Sequence, residues 1–333
     1  MSSVESAREP LQAAARACDI DIDLSTLASV SQHVHRAVDR QGRAFAFKHF
    51  RDTRTARLES QLLSQLAKAT LTCEIQALVP CRNGEALAPT PLGPVLVSHW
   101  IDGIQVAYDQ IDAQGWGVLG RALASLHRAL ARVGSEEAES LSDLLRQRTH
   151  ADERERIIRD REALAALGAP PAALALQDAR IQLLDTHLDA SLAAWPQGGE
   201  QLLHNDYNVH NYLFGHRGEL YVIDWDRAVS GVREYEVIRC LNHLPLEAPA
   251  LAESFLSGYQ ELAALDPQRV CWAFHTAMVS HACKHWPVEL ALTRAPGAIE
   301  RLESLEGMVR RLASEGDELR SAITGAIAKG TEA

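Results

Sequence analysis

Three oxygen-bearing side chains within residues 204–226 lie at spacings that suit the handling of a phosphoryl group. Asp206 and Asn211 are five positions apart, and Asp224 follows thirteen positions after Asn211. Phosphoryl transfer depends mostly on positioning and on neutralising negative charge. Magnesium bridges phosphates and prefers hard oxygen ligands, often only one or two protein carboxylates. Asp224 therefore fits a main metal ligand, the amide oxygen of Asn211 a second ligand, and Asp206 the group that accepts or aims the proton of an attacking hydroxyl.

Two short apolar segments must bring these side chains together. The segments YLF (212–214) and LYVI (220–223) flank a turn with Gly218, a pattern that predicts a β-hairpin. A hairpin brings its two ends together, so we expect Asn211 and Asp224 to converge beside Asp206. The alternative is a surface hairpin whose polar residues have no joint role.

Both ends of this stretch match a known pair of motifs. They read His204-Asn205-Asp206, with Asn211 following, and Asp224-Trp225-Asp226. They resemble the His-x-Asp-x-x-x-x-Asn catalytic loop and the downstream metal-binding Asp of the protein-kinase-like superfamily. The similarity is greatest to the aminoglycoside phosphotransferase and choline kinase group. It implies an α+β, two-lobed fold with a small sheet-rich N-terminal lobe and a larger, mainly helical C-terminal lobe.

An upstream lysine and glutamate extend the resemblance. Residues 43–50 predict a strand in which Ala46 and Lys48 share one face, similar to the kinase strand whose Lys binds the α- and β-phosphates. Glu59 shares the inward face of a helix predicted over 53–68, where an unpaired carboxylate is costly. We therefore expect Glu59 to pair with Lys48 and orient it. The alternatives are a lysine that reaches solvent and a glutamate at the margin of its helix face.

The nucleotide-binding segment is expected before residue 102. Three short strands are predicted at 75–81, 85–88 and 95–101, completing a sheet with the earlier strands, and the composition is helical afterwards. We place an N-terminal nucleotide-binding lobe at 1–101 and a C-terminal catalytic and substrate-binding lobe at 102–333. By the resemblance, adenine would bind the connecting segment, and the candidates are Ser98, Trp100 and Ile101. Trp100 is equally compatible with packing between the lobes.

The resemblance implies ATP-dependent phosphorylation of a hydroxyl group on a small molecule, with ATP and Mg²⁺ as cofactors. The acceptor would be an aminoglycoside, a choline-like amine or a related metabolite. Two alternatives stay open: a bacterial protein Ser/Thr kinase of the same fold, and a nucleotide-binding pseudokinase that serves as a scaffold. The scaffold is disfavoured because the four polar positions of the pattern are filled, by Lys48, Asp206, Asn211 and Asp224. The glycine-rich phosphate loop of protein kinases is absent, since no glycine occurs between Asp19 and Gln41.

The composition of the chain limits the classes of molecule that it is expected to bind and the compartment in which it is expected to work. The chain has 333 residues and a net charge of −11, which argues against nucleic acid and is compatible with a cationic substrate. Its six cysteines include no C-x-x-C pair, which indicates thiols in a reducing compartment rather than a zinc site. No signal-peptide pattern and no apolar run of about 20 residues is present. We therefore expect a cytoplasmic protein that needs no membrane; the sequence leaves the oligomeric state open.

Two C-terminal histidines form a last candidate pair. His281 and His285 are four positions apart, which would place them on one face of a predicted helix. No third metal ligand accompanies them in the sequence. We expect them to pack and hydrogen-bond in the core or beside a cleft.

Overall fold

The structure is a computed structural model that describes residues 3–134, 136–193, 195–242, 249–295 and 297–331. The chain forms two compact units. The first unit comprises residues 1–107, 125–138 and 204–229, and the second comprises residues 108–124, 139–203 and 230–333. Our lobe boundary between residues 101 and 102 stays a prediction.

The strands are short: β1 (Ile22–Ser29), β2 (Val34–Asp39), β3 (Ala44–His49), β4 (Glu74–Ile75), β5 (Leu87–Thr90), β6 (Gly93–His99), β7 (Gly103–Ile104), β8 (Glu139–Ser140), β9 (Glu200–Leu203), β10 (Tyr212–Gly215), β11 (Leu220–Val222) and β12 (Val229–Val232). They form three sheets, ordered β1-β2-β3-β6-β5, β4-β11-β10-β7 and β8-β12-β9.

The first two helices of the chain belong to the first unit, and the later helices lie wholly or mostly in the second unit. The helices are α1 (Ser3–Ala17), α2 (Thr53–Leu66), α3 (Ala113–Leu130), α4 (Leu141–Arg146), α5 (His150–Ala166), α6 (Pro171–Ala193), α7 (Arg233–Leu241), α8 (Pro249–Gln260), α9 (Pro267–Ala282), α10 (Trp286–Leu292) and α11 (Ala298–Thr331). The sequence also predicts a helix over residues 248–265, and its first residue lies outside the described residues. None of the helices in the described ranges combines the length and hydropathy needed to cross a bilayer.

Helix α1 packs on the five-stranded sheet of the first unit. Phe45 and Phe47 of β3 point into this core, so strand alternation directs Lys48 to the opposite face. The core cluster consists of Leu11, Ala14, Ala15, Cys18, Ile20, Ile22, Ala37, Phe45, Phe47, Cys81, Ala88, Val95 and Val97.

The N-terminus of α2 fixes the start of the helix that carries Glu59. Asp52 is the N-cap, as its side chain accepts hydrogen bonds from the backbone amides of Arg54 and Thr55. Capping satisfies amides that have no partner inside the helix. The helix then buries Glu59 together with leucines on its inner face.

The predicted strand at 75–81 is wrong in its length and partners. Only residues 74–75 form a strand, β4, and it pairs in parallel with β11 rather than joining the five-stranded sheet. The following residues contact β6 through the bonds from the Val79 amide to the Val97 carbonyl and from the His99 amide to the Ala77 carbonyl. Pro80 comes next and has no backbone N–H to continue such a ladder.

Candidate active site

The predicted hairpin is present as strands β10 and β11. They pair antiparallel with Tyr212 opposite Val222, and the Ile223 amide donates to the Asn211 carbonyl at 3.1 Å. This bond places Asn211, just before β10, beside the residue that precedes Asp224. The two metal-ligand candidates therefore stand at neighbouring ends of one hairpin.

Two side-chain amides hold the carboxylate of Asp206. Asn211 Nδ2 donates to the Asp206 carbonyl at 2.8 Å and to its Oδ2 at 3.0 Å. Asn208 Nδ2 donates to Asp206 Oδ1 at 2.8 Å and to the same carbonyl at 3.0 Å. Both carboxylate oxygens are thus oriented, while the side chain stays only partly buried and reachable by a substrate. Sequence reasoning missed Asn208, and its amide two positions after Asp206 was the available signal.

His204 joins the catalytic-loop motif to the Asp224 motif. Its buried ring contacts the Ile223 carbonyl through Nε2 at 2.9 Å, and the Asp206 amide donates to Nδ1 at 3.2 Å. These partners assign the proton to Nε2, since Nδ1 must accept. The Trp225 side chain is fully buried, and the centroids of the His204 and Trp225 rings are 4.4 Å apart. His204 therefore links the loop that carries Asp206 to the residue that precedes Asp224.

Lys48 lies at the centre of a carboxylate cluster. Its Nζ is 2.7 Å from Glu59 Oε2, 2.5 Å from Asp224 Oδ1 and 3.3 Å from Asp226 Oδ2. Burial by itself lowers the pKa of Lys48, but the three carboxylates outweigh it and the pKa of the ammonium is raised above its usual range. The expected pair of Lys48 with Glu59 is therefore present, and Asp226 contacts the lysine as well.

This cluster carries more negative than positive charge. Three carboxylates surround one ammonium group, and the second oxygen of the buried Glu59, Oε1, has no hydrogen-bond partner. Such an excess favours the approach of a further cation. The side chain of Asp224 is 44% exposed, so it can reach an ion without losing its lysine contact.

The donor set at the hairpin fits a magnesium ion that is shared with phosphate. The amide nitrogen of Asn211 is committed to Asp206, so its amide oxygen is the atom left for coordination. In the described parts of the chain, no three His, Cys, Asp or Glu residues group closely enough to hold a metal by themselves. One carboxylate and one amide oxygen, completed by phosphate and water oxygens, is the mode typical of Mg²⁺ in phosphoryl-transfer enzymes.

Asp224 has an uncommon backbone conformation. Its φ is +66°, and its amide donates to Gln76 Oε1 at 3.2 Å. Non-glycine residues adopt positive φ only when the surroundings enforce it, and such residues concentrate at functional sites. Gln76 directly follows β4, the strand that pairs with β11. Its role was not visible in the sequence because 148 positions separate it from Asp224.

The three candidates for adenine contact lie at the end of β6. Ser98 is buried in β6 opposite Ala46, while Trp100 and Ile101 follow the strand and are partly buried. The Trp100 amide donates to the Ala44 carbonyl at 2.9 Å. Its carbonyl, rather than its amide, is therefore the backbone group that could contact a base. The Arg36 guanidinium also lies 5.5 Å from the centroid of the Trp100 ring.

The two C-terminal histidines do not share a helical face. Helix α9 ends at Ala282, and His285 lies beyond it, so the predicted spacing of one helical turn is not formed. The imidazole of His285 instead contacts Glu153 at 2.9 Å and Asp160 at 2.8 Å. The expected structural role of His285 in a buried polar network agrees with these contacts.

The family model described as the phosphotransferase enzyme family (APH) matches residues 23–272. The chain belongs to this phosphotransferase family. It is therefore an enzyme that transfers phosphate to a hydroxyl acceptor. The match includes the whole of the hairpin, Lys48 and Glu59, and it confirms the resemblance that the motifs indicated. No curated protein sequence matches the chain.

Solved structures of phosphotransferases share the fold of this family member. An aminoglycoside phosphotransferase from Alicyclobacillus acidocaldarius has a TM-score of 0.63 at 14% identity, with 96% of each chain covered. Amicoumacin kinase, in complex with AMP-PNP, Ca²⁺ and Ami, has a TM-score of 0.64 at 15% identity, covering 95% of this chain and 96% of that one. A microcompartment-associated aminopropanol kinase has a TM-score of 0.61 at 17% identity, covering 96% and 99%. The predicted α+β, protein-kinase-like fold is thereby confirmed.

Proposed function

We propose that this phosphotransferase uses ATP and Mg²⁺ to phosphorylate a hydroxyl group of a small molecule. The observation that carries the proposal is the contact of Lys48 with both Glu59 and Asp224, which come from distant parts of the chain. A buried ammonium with surplus carboxylates around it suits a site where phosphates and a divalent cation enter together.

Each polar residue receives one role in this proposal. Lys48 holds the α- and β-phosphates, and Glu59 orients the lysine from the buried side. Asp224 and the amide oxygen of Asn211 hold Mg²⁺, which when bound neutralises charge on the transferred group. Asp206, oriented by its two amide donors, aims the acceptor hydroxyl and accepts its proton. Ser98, Trp100 and Ile101 form the segment that contacts adenine.

The acceptor class is inferred from charge and from the relatives. The structurally similar enzymes are named for an aminoglycoside, for amicoumacin and for aminopropanol. A net charge of −11 is compatible with attraction of a cationic molecule. We therefore propose an amine-bearing alcohol as the acceptor. A cytoplasmic location supplies ATP and agrees with the six free cysteines.

A screen of ATP consumption tests this function. Aminoglycosides, choline, aminopropanol, thiamine and hydroxy-amino acids are offered one at a time with Mg²⁺, and the Asp206→Ala variant serves as the blank. We expect turnover with at least one amine-bearing alcohol and none in the blank. A generic protein substrate is included because phosphorylation of that substrate alone would reject the small-molecule proposal in favour of a protein kinase. Activity that persists in the blank would reject the assigned site.

A further inference from the structure

Two buried thiols meet in the core of the first unit. Cys18 follows the last residue of α1, and Cys81 lies in the segment before β5. Their Sγ atoms are 3.2 Å apart, and each residue is only 6% exposed. The two cysteines are 63 positions apart in the sequence, so their contact is made by tertiary folding.

The backbone around both cysteines is tied together. The Arg82 amide, next to Cys81, donates to the carbonyl of Ala17, next to Cys18, at 2.9 Å. The Arg82 guanidinium also forms an ion pair with Asp19. The hydrogen bond and the ion pair between the neighbouring residues hold the two thiols close together. A disulfide between them would therefore require little backbone movement.

The two thiols face each other in apolar surroundings. Both cysteines belong to the apolar cluster between α1 and the five-stranded sheet. A thiol hydrogen is a weak donor, and a disulfide removes both hydrogens from this apolar environment. Burial also raises the pKa of Cys18 to about 12, so little thiolate is present and oxidation of the folded protein is slow.

We propose that Cys18 and Cys81 form an oxidation site at which a small two-electron oxidant of the peroxide class produces an intramolecular disulfide. One cysteine, as its thiolate, attacks a peroxide oxygen; the O–O bond breaks and leaves a sulfenic acid and hydroxide. The second cysteine, as its thiolate, attacks the sulfenic sulfur, the S–O bond breaks, and the oxygen leaves as hydroxide; the two hydroxides take up the protons that the two thiols released and become water. Two thiols are oxidised and one hydrogen peroxide is reduced to two waters.

The resulting link fastens α1 to the sheet of the first unit. A cross-link that closes a long loop restricts the unfolded chain and stabilises the folded protein. The oxidised protein therefore has a Tm that is higher than that of the reduced protein by about 2–4 °C. The inference is independent of the proposed acceptor and nucleotide.

Peptide mapping under non-reducing conditions tests the site. The full chain is treated with hydrogen peroxide, alkylated and unfolded in the presence of the alkylating agent, and then digested. We expect one cross-linked peptide pair that contains Cys18 and Cys81, a raised Tm, and loss of both after reduction. The Cys18→Ala and Cys81→Ala variants should lose the Tm response, whereas Cys73→Ala, which removes a similarly buried thiol, should retain it.

Two results would overturn the inference. The first is full alkylation of both cysteines after oxidation, which would show that the thiols remain reduced. The second is oxidation of Cys18 or Cys81 to sulfinic or sulfonic acid without a cross-linked peptide. Both readouts are made on the unaltered chain, so they stand even where an alanine variant fails to fold.

Discussion

At the scale of single residues, the site is defined by which atoms are already committed to partners. The amide nitrogen of Asn211 is bound to Asp206, which leaves its oxygen for an ion. Both oxygens of Asp206 accept from amides, so the carboxylate is oriented without being neutralised by a cation. Lys48, in contrast, forms ion pairs with three carboxylates. In the proposed function, this division separates a proton-handling residue, Asp206, from a phosphate-binding residue, Lys48.

Replacing Asp206 by alanine should lower kcat by about 10²–10⁴-fold, because the acceptor hydroxyl loses its oriented base. Affinity for Mg-ATP should change little, since Asp206 has no bond to Lys48 or Asp224 and its backbone carbonyl, which the substitution keeps, still accepts from the Asn211 amide. Steady-state kinetics and a calorimetric nucleotide titration measure the two quantities. Normal turnover by the variant would reject the role.

Replacing Asn208 by alanine should lower kcat with little change in the affinity for nucleotide. Asp206 would lose the donor to its Oδ1 and rotate more freely, and orientation of reacting groups contributes strongly to rate. The same titration and kinetics apply, with Asn83→Ala, an exposed amide in the turn before β5, as the control. An equal fall in kcat for both variants would mean that the effect is not specific to the catalytic loop.

Replacing Asp224 by alanine should weaken binding of Mg-ATP by more than about tenfold, since altered metal surroundings commonly cost 10–100-fold in affinity. Binding of ATP measured in excess chelator should be affected much less, because Lys48 remains to contact phosphate. Calorimetry with and without Mg²⁺ separates these contributions. Unchanged Mg-ATP affinity would contradict the proposed ligand.

At the scale of elements, the positions of strands and helices follow from local signals more often than their partners do. Three elements were predictable from alternation, helical periodicity and turn residues: the strand that carries Lys48, helix α2 and the hairpin β10–β11. The sheet that residues 75–81 join was not predictable, because β4 pairs with β11, which comes from a distant part of the sequence. Periodicity gives the type of an element, whereas long-range pairing decides which sheet it joins.

Close packing of α3 on α8 gives a prediction at this scale. A Cβ at Gly120 would lie 1.9 Å from the Phe255 carbonyl oxygen, and one at Gly258 would lie 2.1 Å from the Gly117 carbonyl oxygen. Gly120→Ala should therefore destabilise the protein by about 1–3 kcal/mol, the usual cost of overpacking. Chemical denaturation measures the change in the free energy of unfolding.

A matched control exists within α11. Gly325 is also a helical glycine, but an added Cβ there meets nothing within 4 Å. Gly325→Ala should be neutral or stabilising by up to about 1 kcal/mol, since alanine favours the helix more than glycine does. If both variants lost the same stability, the close approach of α3 and α8 would not be the cause.

At the scale of the whole molecule, a buried charge network in the second unit contributes to the loss of stability in acid. Arg180 is fully buried and contacts Asp160 at 3.1 Å, while His285 bridges Asp160 and Glu153. Burial alone would raise the pKa of Glu153, but hydrogen bonding from His285 and the charge of Arg148 lower it to about 2. The folded state therefore favours the ionised form of Glu153 more than the unfolded state does.

The free energy of unfolding should consequently fall in acid as Glu153 becomes protonated. Its contribution is present above the unfolded pKa of about 4.5 and is lost as the pH falls toward about 2. Denaturant melts at several pH values should show a smaller fall over this interval for Glu153→Gln than for the unaltered protein. Identical pH profiles for the two proteins would exclude Glu153 as a contributor. Glu155→Gln, which changes an exposed carboxylate of the same helix, is the control.

The sequence alone determined the family of this protein and the candidate residues of its site, because the residue types and local spacing within 204–226 do not depend on how the rest of the chain folds. The motifs gave the family, the hairpin and the metal-ligand candidates, and helical periodicity placed Glu59 on a buried face. Only the tertiary structure decided that Gln76 binds Asp224, that Asp226 also reaches Lys48, and that Cys18 meets Cys81. These contacts join residues with no local relation in the sequence, and they arise from packing and long-range strand pairing rather than from propensity.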